Sequence, residues 1–67
     1  MQIQVFEGGL EMKEEVSIGT FDLNHFLEVN ADALEGEKEQ LRAALEKGEE
    51  YRILGFVGCW HTVRRAS

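Results

Sequence analysis

Three side chains in this sequence could bind a soft metal, or act as a nucleophile with its base: Cys59, His61 and His25. Cys59 and His61 stand two apart in an alternating segment, so on an extended strand they share one face. Such a pair could fill two positions of a zinc site, with His25 or a carboxylate completing it. A structural zinc site draws four ligands, usually at CxxC or HxxxH spacing, and neither spacing occurs here. A catalytic thiol would need a held base, an oxyanion site and a substrate pocket, which a chain of 67 residues rarely builds together. The expectation is no enzyme, no catalytic residue, no metal and no cofactor. Gly8-Gly9 and Gly55-x-x-Gly58 do not lead into the Lys-Ser/Thr pair of a phosphate loop, and they read as hairpin turns.

The carboxylates are the stronger signal. All thirteen acids lie between Glu7 and Glu50 with only four bases among them, a balance of −9, and Arg52, Arg64 and Arg65 bring the chain to −6. Direct contact with nucleic acid is disfavoured, because phosphate binding needs a broad positive footprint. A single cysteine excludes an internal disulfide framework. Neither a membrane span nor the basic-then-apolar pattern of a signal peptide is present, so a cytoplasmic protein is expected. Part of the acid excess has a plain explanation. Glu35, Glu37 and Glu39 crowd the first half of a helical segment, where the helix dipole favours negative charge. Glu14-Glu15 and Glu49-Glu50 fall at element junctions, and Asp22, Glu28 and Asp32 add to the helical part. Acids gathered on one surface would steer a basic partner toward it.

The elements that must carry these residues can be read from periodicity. Gln2 to Phe6 alternates as a strand, and Gly8-Gly9 is expected to turn it into a second strand from Leu10 to Ile18. Gly19 should break that strand, with Thr20 or Asp22 capping a short helix over Leu23 to Val29. Leu34, Leu41, Ala44 and Leu45 share one stripe of a second helix, read as Leu34 to Lys47, with Gly36 or Glu37 as an alternative start and Gly48 as its stop. Tyr51 to Leu54 and Cys59 to Arg64 read as the last two strands, joined across Gly55 to Gly58. The fold class is α+β: a single domain over residues 1–67, with a four-stranded antiparallel sheet and two helices on one face, in the order β-β-α-α-β-β. Phe56, Val57 and Trp60 form an apolar region near the last hairpin. They either cap the core or serve as an interface, in which case the chain would be a small homodimeric assembly module.

In size, acid excess, absence of proline, lone cysteine and its strand–helix–strand ending (Leu34 to Lys47, then Tyr51 to Arg64), the chain resembles the small inhibitors encoded by phages and mobile elements. Anti-CRISPR proteins are the best-known group of these. The resemblance is one of type and rests on no shared motif. It implies a non-enzymatic inhibitor of the DNA-mimic kind, working in the cytosol of a host cell. Its acids would stand where a basic, nucleic-acid-binding protein expects DNA phosphates. The acids so implied are Asp22, Glu28, Asp32, Glu35, Glu39, Glu46, Glu49 and Glu50. Arg64 and Arg65 would oppose such mimicry if they shared that face.

Overall fold

The alternation at the start of the chain becomes strand β1 (Gln2–Gly9), which buries Ile3 and Val5 and turns Gln2 and Gln4 to water. It is followed by β2 (Val16–Asp22), α1 (Leu23–Val29), α2 (Lys38–Glu46), β3 (Tyr51–Leu54) and β4 (Cys59–Arg65). The computed structural model describes residues 1–55 and 58–66, so the expectations placed on Phe56 and Val57 lie outside the described residues. The strands form one antiparallel, open sheet in the order β2-β1-β4-β3. The α+β class and the order β-β-α-α-β-β are those expected from the sequence.

Both helices pack on one face of this sheet. Leu23 and Leu27 from α1, Leu41 and Leu45 from α2, and Leu34 between them close over Ile3, Val5, Ile53 and Val63. The first helix has the span its spacing predicts. The Asp22 carboxylate caps it by accepting from the His25 backbone N–H at 3.2 Å, which satisfies one of the donors left open at a helix start. The second helix stops as expected. Gly48 adopts φ +81°, and the N–H groups of Gly48 and Glu49 donate to the carbonyls of Leu45 and Ala44 at 3.1 and 2.9 Å. That pair of bonds is a Schellman ending, which needs the left-handed backbone a glycine adopts most easily.

Three features differ from the sequence expectation. Gly8-Gly9 is not a turn. Both glycines continue β1 and pair with Trp60 and Cys59 of β4, so β2 begins at Val16 and the connection runs through residues 10–15. Gly19 does not break β2. It lies inside the strand at a register shift between Val5 and Phe6, where Ile18 is the additional residue of a bulge. The second helix also starts later than Leu34. Gly36 sits at φ +82°, and a run of turns from Asn30 to Glu37 carries Leu34 into the core before regular helix begins at Lys38.

Candidate interaction surfaces

Three surfaces have the composition to do something beyond folding. The first is the helical layer. Segment 22–50 contains nine acids and three bases, a balance of −6. Asp22, Glu28, Asp32, Glu35, Glu39, Glu46, Glu49 and Glu50 are all exposed. Glu39 and Glu46 are seven residues apart on α2, nearly two turns, so they share a line on the side of the helix away from Leu41. Asp22 is partly engaged as the cap of α1. Glu37 stands apart because it is half-buried and accepts a 2.7 Å hydrogen bond from the Tyr51 hydroxyl. That bond, then burial and the negative charge of Glu37, push the Tyr51 phenol up and tie β3 to the start of α2.

Arg42 makes no ion pair with Glu39 or Glu46, its neighbours three and four residues away on α2. Arg42 reaches Asn24 Oδ1 on α1 at 3.4 Å. Among the described residues no cation lies within 4 Å of Glu28, Asp32, Glu35, Glu39, Glu46 or Glu49. Glu50 does not join this set as a free charge, because it accepts from Arg64 Nε at 2.7 Å.

The second surface is the sheet face without helices, where Phe6, Gly8, Trp60, Thr62, Arg64 and Arg52 come together by strand alternation. A single carboxylate organises it. Glu15, in the connection after β1, folds over the sheet. Its Oε2 accepts from Trp60 Nε1 at 3.1 Å and from the Thr62 hydroxyl, while Oε1 stands 3.7 Å from Arg64 Nη2. The Arg64 guanidinium lies 4.7 Å from the centre of the Phe6 ring, and that of Arg52 lies 4.7 Å from the Trp60 ring. These are cation–π distances. Thr62 is 1% exposed and is the buried polar residue of the core region. Its hydroxyl finds its partner in Glu15, and among the described residues no buried side-chain polar atom is left unpaired.

The bond from Thr62 leads in holding the Glu15 carboxyl below the usual carboxylate range; desolvation opposes it, and Trp60, Arg64 and Arg52 assist. A lowered folded-state value contributes stability above the unfolded value, and that stability is lost as pH falls through the folded one. Glu15→Gln should therefore be less stable than the parent at neutral pH, with the gap closing below about pH 4, where carboxylates protonate. Urea midpoints of the two proteins across that range check this, and a gap independent of pH would overturn it.

The third surface is a groove of about 590 Å³ on the helix side, where the helices leave part of the sheet uncovered. Its floor and walls include Val5, Ile18, Phe26, Val29, Ile53 and Leu54. His25, Cys59 and His61 also reach this groove, and His61 Nε2 stands 3.8 Å from Glu7 Oε1. Cys59 is exposed. Among the described residues no three His, Cys, Asp or Glu side chains gather around a metal position. The sequence reading missed this groove. Ile18, Val29 and Ile53 come from three separate elements, and only the folded sheet brings them to one opening.

No known protein family matches this chain, and neither the curated proteins nor the solved structures contain a protein similar to it. No helix among the described residues is long and apolar enough to cross a membrane.

Proposed function

We propose that the chain is a non-enzymatic binding protein. It lays its acidic helical layer on the basic surface of a protein partner, a nucleic-acid-binding one, and blocks that surface as an inhibitor. The observation that carries this reading is the separation of charge across the sheet. The helical segment is at −6. Arg52 and Arg64 point from the opposite face, where Arg64 is drawn in by Glu15 and Glu50. Arg52 and Arg64 are thus turned away from the negative surface or neutralised, while Arg65, opposite Ile3 and two residues beyond Val63, lies on the helix side. Such a surface speeds encounter with a positive partner and rejects a negative one. Several of the small inhibitors that the chain resembles in type present acids in this way. A homodimer through Phe56, Val57 and Trp60 is less favoured, because the half-buried Trp60 indole already donates to Glu15 and lies against Arg52.

Affinity capture from a host lysate at about 50 and 500 mM salt tests the reading, because the Debye length shrinks several-fold between them. The partner should be basic, should be lost at high salt, and should be displaced by its own nucleic acid. Glu35→Lys, Glu39→Lys and Glu46→Lys together should weaken the purified partner about tenfold or more at low salt, as like charges are set against it. A partner held equally by the parent and the triple variant, or indifferent to salt, sinks the proposal.

A further inference from the structure

The groove and the acidic layer adjoin, and together they describe a more specific partner than charge alone. Val29 is 67% exposed and Ile18 48%, so the groove opens onto large apolar side chains left in water. Isolated exposed apolar residues are ordinary, but a concave apolar site with an apolar rim is not. Its other lining groups set the charge it tolerates. Among the described lining residues Glu7 is the sole permanently charged one, and no lysine or arginine takes part. Four of them have an exposed acid as chain neighbour: Phe21 precedes Asp22, Val29 follows Glu28, Ala33 follows Asp32, and Leu34 precedes Glu35.

We infer that this groove receives the apolar side chains of a basic amphipathic segment of a protein partner, while the lysines or arginines of that segment meet Glu7, Glu28, Asp32 and Glu35. The inference rests on the acidic-face reading and supplies its anchor. Charge attraction at an exposed surface is weak and salt-sensitive, whereas buried apolar anchors carry most of the energy of an interface. Charge also selects among occupants. A second copy would bring the same acidic rim and a net charge of −6 to meet its like. A small apolar molecule would fill the floor and leave Ile18 and Val29 in water. A segment lying across the opening covers them, and one apolar helix face in a groove is a common recognition mode.

The test uses three synthetic peptides of about four helical turns. One is a Leu/Lys amphipathic helix, the second replaces its lysines by glutamate, and the third replaces its leucines by serine. Each is titrated into the isotope-labelled protein while amide resonances are followed. Only the Leu/Lys peptide should bind, with shifts concentrated on Ile18, Val29 and His61. Ile18→Ser with Val29→Ser should weaken it at least about tenfold, since each buried side chain of this size is worth roughly that factor. Both positions are exposed, so the fold should stand, and unchanged amide dispersion without peptide will verify it.

Shifts confined to the outer line of Glu39 and Glu46, with the serine variant unaffected, would overturn the groove while leaving the acidic-face reading intact. Equal binding of the Leu/Glu peptide would overturn the charge of the proposed partner and weigh against both readings. Failure of every peptide to bind, or a concentration-dependent dimer seated on the groove, would also overturn it.

Discussion

Leu41→Ala should remove a large share of the folding stability. Leu41 is fully buried on α2 beside Leu45 and Leu34, where the helical layer meets Val5, Ile53 and Val63. Truncating a leucine in such a site costs about 2–5 kcal/mol, made up of lost transfer energy and the cavity left behind. At roughly 0.05–0.15 kcal/mol per residue, a chain of 67 residues has a total stability of only about 3–10 kcal/mol. The loss is therefore about half of the whole at the middle of both ranges. A sheet covered on one side by two short helices has little means of collapsing around the cavity. The control is Leu54→Ala, at a side chain left mostly in water, which should move stability by about 0.5 kcal/mol or less. Urea and thermal unfolding followed by circular dichroism measure both. If the two substitutions cost the same, the core does not lie where Leu41 places it.

What could be read from the sequence follows the range of the interactions involved. The α1 helix was legible because Leu23, Phe26 and Leu27 repeat at i, i+3, i+4 and its cap is adjacent. The end of α2 was legible because Gly48 acts within its own turn. The alternation of Cys59, His61 and Val63 against Trp60, Thr62 and Arg64 placed β4 correctly, since period two is local. The first hairpin was misplaced because Gly8-Gly9 carries a strong local turn signal, while the reason for glycine there is Trp60, far along the chain. Glu15 was legible only as a charge at a junction. Its partners Trp60 and Thr62 are 45 and 47 residues away, beyond any periodicity. The acids of the helical layer could be counted from the sequence, but not their separation from Arg64, which depends on strand order. A faint signal existed for the open face: in an antiparallel pair of β1 with β4, a glycine in phase with a tryptophan marks a ring lying over the strand.

That contact yields the second large expected effect. Gly8→Ala should destabilise the protein by about 1–3 kcal/mol, the usual cost of overfilling a packed site. A Cβ at position 8 would stand 2.7 Å from Trp60 Cε2 and closer still to Nε1. The indole cannot easily yield, because Nε1 donates to Glu15 and the ring lies beneath Arg52. If it does yield, Glu15 loses a donor and Thr62 keeps its only partner in a displaced position. The rest of the strand would favour alanine, since glycine inside an element is worse by about 0.5–1 kcal/mol. The sign of the effect therefore depends on Trp60. In a Trp60→Val background, Gly8→Ala should be neutral or slightly stabilising. The coupling between the two positions should exceed about 1 kcal/mol, within the range for residues in contact. Four proteins and their urea midpoints complete the cycle, and the fluorescence of the lone tryptophan in Gly8→Ala reports whether the indole has moved toward water. An equal cost of Gly8→Ala in both backgrounds would mean that the glycine is required for its backbone and not for the ring above it.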